Sequence, residues 1–484
     1  MKNKVLSTIT CLITSGLLVA VSSCSEEKYL DTVPPTQISA ANVFDTPARI
    51  LGLVNGIYKA QKSSSYLGGR FQFYLDVSGE DFINTTANSF TGYESWNHSY
   101  TSGSNDVINA WSAAYTTINL SNILIDGLQK NTNVITAELS TQYTAEAKFL
   151  RAYSYFNLVT IFAQPYAKDN GASPGLPLRL VAETNTENND LKRSSVAEIY
   201  TQIIKDLDEA EAGLPASYST EELNVTRAHK NAAIALKTRV YLNMANYAKV
   251  VEEAKKIVPQ TTAPFASTIN IKHALQANIV TTLMSSFTTV ESILSVPFSS
   301  QDMYSGQSAI GYIYNGNSEY YMNPSGIFGS AQFASTDARR GFFRTNATLG
   351  RSYLSKFGQN APYLIYMPLI RYSEILLNYA EAAAETGDLT LSAALLKAVH
   401  ARSDASYTFS ELTTKDALIT AILAERRIEL LGEGFRSNDL HRRLLTIPAK
   451  AGPAFNATAV EPSAANYIWP ISNSEIVTNR AIFD

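Results

Sequence analysis

Apolar side chains recur every three or four residues along much of the chain, and that spacing predicts helices. The clearest stripe runs through Ile199, Ile203, Leu207, Ala210 and Leu214. Ser195, with Glu198 three residues later, reads as a capping box that starts it, and Leu214-Pro215 ends it. Trp111, Tyr115, Ile118, Asn122 and Ile125 form a second stripe. Tyr143, Ala147, Leu150, Ser154, Leu158 and Ile161 form a third, which stops before Pro165. After Thr226 one helix runs through Leu236, Val240 and Met244. A tight link at Ala245-Asn246 leads to a return through Tyr247, Val251, Ala254 and Val258. So short a link implies antiparallel neighbours. Arg371 to Glu385, a turn at Gly387-Asp388 and Ala393 to Arg402 make another hairpin, and a further helix spans Lys415 to Leu431. The chain is therefore expected to be mostly α, with recurring helix pairs that point to a solenoid, although no clean ~34-residue period is visible. Periodicity alone equally accommodates a plain bundle. Two stretches break the pattern, about 66–105 and 262–362. They are rich in Gly, Ser, Asn, Tyr and Phe, with turn signals at Asn315-Gly316 and Asn323-Pro324-Ser325-Gly326. They are expected to be loops and short strands packed on a helical frame of about 41–65, 106–260 and 363–445.

The N-terminus changes the picture. Lys2 and Lys4 precede an apolar run from Val5 to Val21 that Thr8, Thr10, Thr14, Ser15 and Gly16 interrupt. It is too short and polar for a span of ~20 apolar residues, and it suits a signal-peptide core. Val21-Ser22-Ser23-Cys24 then looks like a lipobox, so residues 1–23 are expected to be removed and Cys24 to carry lipid. Residues 24–40, with Pro34-Pro35, serve as a tether, and 41–484 are expected to form one domain. Ser25-Glu26-Glu27 is similar to the acidic tag that directs some lipoproteins to the outer face. Each buried methylene of an acyl chain contributes ~0.8 kcal/mol to membrane attachment. Cys11 lies within the expected signal, so the mature domain holds no thiol for a disulfide, a zinc site or a nucleophile. Of the 484 residues, 17% are charged, the net charge is -4, and no basic block is present. Nucleic acid is thereby disfavoured as a partner.

Several blocks share an order with one known family. They are Trp111-x3-Tyr115-x2-Ile118-x3-Asn122, Ala145-x-Ala147-x2-Leu150-Arg151-Ala152-x2-Tyr155 and Thr226-Arg227-Ala228-x3-Ala232. Three more follow: Arg371-Tyr372-x-Glu374 through Ala382, Glu425-Arg426-Arg427-x-Glu429-Leu430 with Gly432 to Arg436, and Trp469-Pro470-Ile471. In this order, behind a lipobox, they resemble the SusD/RagB family. Phe162-Ala163-Gln164-Pro165-Tyr166 departs from the family's more usual Phe-Gly-x-Val-Pro-Tyr. The resemblance implies four tetratricopeptide-like helix pairs carrying an irregular ligand-binding part. It also implies a lipid anchor at the surface of the outer membrane and no catalysis. The implied partner is a SusC-like TonB-dependent transporter, over which the protein sits as a lid. The implied cargo is oligosaccharide or polysaccharide, or in some members peptide.

Candidate chemistry is weighed against that frame. Glu425, Glu429 and Glu433 share a helix face and invite an acid–base reading beside Arg426 and Arg427. Ordinary helix ion pairs account for them better. Asp76, Glu80 and Asp81 fit a calcium site, or the carboxylates of a surface hydrolase, less well than turn capping. The histidines at 98, 229, 273, 400 and 441 have no spacing that places two ligands on one helix face, so no metal is expected. No phosphate-binding loop or dinucleotide fingerprint is present, and no cofactor is expected. The aromatic residues of the irregular stretches are the better lead, because sugars stack apolar C–H faces on rings. They are Phe71, Phe73, Tyr74, Tyr93, Trp96 and Tyr100, then Tyr304, Tyr312, Tyr314, Tyr320, Tyr321 and Phe328, with Arg70, Asn97, Asn315 and Asn317 as polar companions. Trp96 leads, in a polar loop without periodicity, whereas Trp111 and Trp469 read as structural. Stacks of roughly 1 kcal/mol each would give millimolar to micromolar affinity.

Overall fold

The computed structural model describes residues 42–484 apart from 186 and 188, so the expected signal peptide, Cys24 and tether lie outside the described residues. Its longer helices are α1 (Pro47–Gln61), α2 (Arg70–Ser78), α3 (Asn105–Lys130), α4 (Ala137–Phe162), α5 (Val196–Gly213), α6 (Glu221–Thr226), α7 (Lys230–Asn243), α8 (Tyr247–Ile257), α9 (Tyr372–Glu385), α10 (Leu389–Ala401), α11 (Lys415–Glu429) and α12 (Arg436–Arg442), with single helical turns at Tyr93–Asn97, Ile279–Leu283 and Asn473–Ile476. Packing passes from α1 to α3 and on through α4, α5, α7, α8, α9 and α10. The pairs α1/α3, α4/α5, α7/α8 and α9/α10 thus stack in succession, which is the helix-pair frame expected from the sequence.

Local chemistry sets the helix ends. Thr46, Thr136, Thr220, Asn246, Asp388 and Thr414 each accept a backbone N–H in the first turn of their helices. Such caps contribute ~1 kcal/mol each. The capping box of α5 is formed: Ser195 Oγ accepts from Glu198 N at 3.2 Å, and Glu198 Oε2 accepts from Ser195 N at 2.7 Å. Helix α4 is buried on nearly every side, with small residues Ala145, Ala147, Ala152 and Ser154 admitting its neighbours. Its Arg151 donates to Asp206 of α5 at 2.7 and 2.8 Å and to Asn122 of α3 at 2.8 Å, joining three helices through one guanidinium.

Helix α2 departs from expectation. It lies in a stretch expected to be loop and strand, and every one of its residues is buried. A helix enclosed on all sides shows no polar face, so it leaves no periodic signature. The rest of the irregular part holds short strands: β1 (Phe82–Asn84), β2 (Ser292–Val296), β3 (Tyr320–Met322), β4 (Phe343–Asn346), β5 (Arg351–Leu354) and β6 (Met367–Arg371). They pair antiparallel as β1/β3, β2/β6 and β4/β5.

Buried ions fasten this part to the frame. Arg371, just before α9, reaches Glu291 at 2.6 Å, Glu429 at 2.8 Å and Glu433 at 2.7 Å. Arg339 reaches Asp337 at 2.7 Å, Glu425 at 2.6 Å and Glu429 at 2.8 Å, and Arg402 reaches Glu291 at 2.8 Å and Glu429 at 2.6 Å. Here the sequence reading needs correction: these glutamates pair across elements rather than along one helix. Burial resists their charge, yet Arg402, Arg371 and Arg339 together hold Glu429 well below the usual carboxylate range. Removing one member strands the others in a medium that cannot solvate them. Arg371→Met is therefore expected to lower unfolding free energy by ~3–5 kcal/mol in urea titration.

Candidate functional site

The structure separates the expected ligand contacts into two groups, and the larger one is core. Trp96 is 0% exposed. Its indole N–H donates to Phe82 O at 2.8 Å, and the Lys450 ammonium lies 5.0 Å from its ring. Phe73, also 0% exposed, meets Tyr314 and Tyr320 edge-on, with centroids 5.1 and 5.0 Å away. Tyr320 donates to Thr91 O at 2.8 Å, Tyr314 donates to Asp76 Oδ2 at 3.4 Å, and Tyr74 packs on Trp469. Tyr100 is buried and donates to Asn466 O. Phe71 is buried too, beside Tyr66. These rings form one aromatic core between α2 and the strands, and burying their large apolar area stabilises it.

The polar companions are mostly occupied. Arg70 is buried, donates to Phe90 O and lies 4.4 Å from the Phe90 ring. Asn315 is buried, donating to Gln359 O at 2.7 Å while accepting from Arg344 Nε at 2.7 Å. Asn97 is half-buried and closes a local turn, accepting from Ser99 N at 3.1 Å.

Tyr312 and Tyr321 remain accessible, each half-buried. Strand pairing explains the difference between adjacent tyrosines: Tyr320 and Met322 point into the core, and Tyr321, opposite Ile83, points the other way. Tyr312 begins a π-helical turn, Tyr312–Gly316, whose Ile313, Tyr314 and Asn315 face inward. That turn packs against β3 and β5. Tyr363, which the sequence reading missed, lies beside Tyr312 with its ring edge-on at 6.2 Å. Gly311 and Gly316 admit it, since a Cβ at either position would overlap Tyr363. The Arg351 guanidinium lies 4.7 Å from the Tyr321 ring and makes no hydrogen bond or ion pair among the described residues. Strand alternation and the glycine flanks were the only signals for this face. Of the other rings considered, Tyr304 donates to Lys62 O, Tyr93 stacks on Trp96, and Phe328 packs on Phe343.

The three carboxylates considered for metal or hydrolysis are engaged elsewhere. Asp81 Oδ1 accepts from Ile327 N at 2.7 Å and pairs with Arg427 at 2.5 Å, and Glu80 pairs with Arg436 at 2.6 Å. Burial opposes charge on Glu80, but Arg436 and Arg427 pull it down to about 2. Among the described residues Asp76 has no such partner, and it accepts from Gly434 N at 3.1 Å.

A family model for SusD proteins matches residues 160–483. The chain belongs to the SusD family. A second model, described as starch-binding and associating with the outer membrane, matches residues 28–242. Among solved structures, a SusD superfamily protein from Bacteroides fragilis is 30% identical, with a TM-score of 0.82 over 91% of this chain and 100% of its own. A laminarin-binding SusD-like protein is 22% identical, with a TM-score of 0.70 over 90% of this chain and 98% of its own, and it speaks for the fold alone. SusD-like protein P2 of Formosa agariphila is 24% identical over 96% of both chains. Among the described residues of this SusD-family chain, no helix is long and apolar enough to cross a membrane.

Two predictions follow from burial. Trp96→Ala is expected to destabilise the fold by ~3–5 kcal/mol in thermal or urea unfolding, as core aromatic truncations do. Burial pushes the Asp76 carboxyl from 3.8 up to about 7, against the amides of Gly434 and Arg436 and the charge of Lys356, with Asp81 adding to the rise. The folded state then keeps a proton that the unfolded chain has released, so this contribution is complete below about pH 4 and is lost as pH rises towards 7. Asp76→Asn is expected to flatten the fall in stability across that window, measured by denaturant titration at a series of pH values.

Proposed function

We propose that this protein captures oligosaccharides or polysaccharides at the cell surface and hands them to a SusC-like TonB-dependent transporter, held to the outer membrane through lipid on Cys24. No covalent step is involved. The observation that carries the reading is the half-exposed tyrosines, Tyr312 with Tyr363 and Tyr321 beside an Arg351 guanidinium that has no hydrogen-bond or ion-pair partner among the described residues, on a chain of the SusD family. Rings offer flat faces to the C–H side of a sugar, and a free guanidinium offers donors to its hydroxyls. The laminarin-binding neighbour, alike in fold, supports a glucan among the first ligands to try.

Holding the ligand at the mouth of a transporter makes delivery effectively intramolecular, so weak affinity still raises uptake. Shallow rings with few polar anchors fit that economy. Peptide is the rival cargo, and a glycan array run beside peptide pull-downs separates the two. Calorimetry against the best glycan is expected to show about thirtyfold weaker binding for Tyr312→Ala with Tyr321→Ala, from two stacks of roughly 1 kcal/mol each. The melting temperature should change little, because both rings are half exposed. Unaltered affinity in this pair would remove the tyrosine face from the reading.

A further inference from the structure

Three rings stack in a column where the irregular part meets the frame. His229, just before α7, lies 5.9 Å from His273 with the ring planes 20° apart, and His273 lies 6.2 Å from Tyr372, the first residue of α9, at 24°. Each of the three is at most 1% exposed. His273 belongs to a hairpin of two-residue strands, Ala266–Ser267 and His273–Ala274, much shorter than a pair that stands alone. The column therefore clamps this hairpin between the start of α7 and the start of α9. Neutral bonds assist it: Asn231 of α7 donates to Ile271 O at 3.1 Å and accepts from Asn270 at 2.9 Å, and Ala274 N donates to Val290 O at 3.0 Å.

The column accommodates neutral imidazoles. His229 Nε2–H donates to Ile293 O at 3.1 Å, and its Nδ1 has no partner among the described residues. A proton added there enters a dry interior without an acceptor, and a charged His273 would then face a second cation across 5.9 Å. The charges on the surrounding elements are spent or turned to solvent. Lys272 is exposed and Lys230 half-buried, Arg227 pairs with Glu146, Glu291 before β2 pairs with Arg371 and Arg402, and Glu374 of α9 pairs with Arg239. Burial pushes His229 from 6.5 down to about 4, its bond to Ile293 opposing. Burial and then His229 push His273 down to about 3, the Val290 backbone opposing.

We infer that the column is an acid-released latch: protonation of His229 and His273 frees residues 262–290 from α7 and α9 while the helical frame stays folded. The freed segment supplies Asn270, Ile271, Lys272, Thr288, Thr289 and Val290 to the wall of a cavity of about 350 Å³ whose other side is α6, so release widens that cavity. Both rings titrate lower when latched than when free, so the latched state binds fewer protons. Its advantage is whole above about pH 6.5 and is lost as pH falls towards 4. One ring favours release about thirtyfold more at pH 5 than at pH 8, and the two together about a thousandfold. The inference does not depend on what the tyrosines bind.

Hydrogen exchange read by mass spectrometry on the purified protein, each rate divided by the intrinsic rate at the same pH, tests it. Normalised exchange in 262–290 is expected to rise about a thousandfold from pH 8 to pH 5, while the amides of α4 stay protected. His273→Phe, which keeps a ring in the stack, should cut the rise to about thirtyfold. His229→Gln, which keeps a donor for Ile293 O, should do the same, so the test survives if one replacement fails to fold. An unchanged rise in the variant that folds would overturn the inference. So would a segment that stays protected at pH 5, or one that exchanges only together with α4.

Discussion

Arg371 stands where three carboxylates from two distant stretches of chain converge, and the junction of frame and irregular part depends on it. Glu291 comes from just before β2, Glu429 from the end of α11, and Glu433 from the loop that follows. Arg339 and Arg402 close the network around the same glutamates, and His400 Nδ1 adds a bond to Glu425 at 2.6 Å. Ions buried this deeply gain little over well-packed apolar groups, but they punish every arrangement that leaves one unpaired. The physical effect is to make a single docking of the irregular part far lower in energy than any slipped alternative. That docking holds β3, β5 and the Tyr312 turn in place on the outside.

The same logic runs through the frame. Arg239 pairs with Glu374 at 2.6 Å between α7 and α9, Arg426 with Asp439 at 2.8 Å between α11 and α12, and Arg442 with Glu381 at 2.5 Å between α12 and α9. Most of the charged residues in the blocks that carry the family resemblance are members of these pairs. Their order along the chain reflects which helices must meet, and none of them is available to a ligand. The aromatic core has the complementary role. Phe73, Tyr74, Trp96, Tyr314 and Tyr320 fill the space under the strands, so that Tyr312, Tyr321 and Tyr363 rest on a rigid base. A weak-binding surface benefits from such a base, because rings held in place lose less freedom when a ligand arrives.

How much was legible follows from the range of each interaction. Helix stripes, caps and tight links are local, and residues 195–214, 230–257 and 371–401 were readable because their partners lie within a turn or a hairpin. The candidate site was much less legible. Trp96 sits in a run of polar residues, and no helical or strand periodicity there shows that Phe82 O, 14 residues earlier, takes its indole proton. Helix α2 was hidden because burial on all sides erases the amphipathic pattern, and its aromatic residues then looked like exposed loop rings.

The sequence by itself determined the class of the fold, the two tight helix hairpins, the capping box at Ser195 and the family, since these rest on contacts between residues close in the chain and on motifs in a fixed order. Only the tertiary structure decided which rings are covered and which glutamate meets which arginine. Those outcomes join residues as far apart as Asp81 and Arg427. Pairings over such distances are chosen by the packing of the whole interior, which no local pattern encodes.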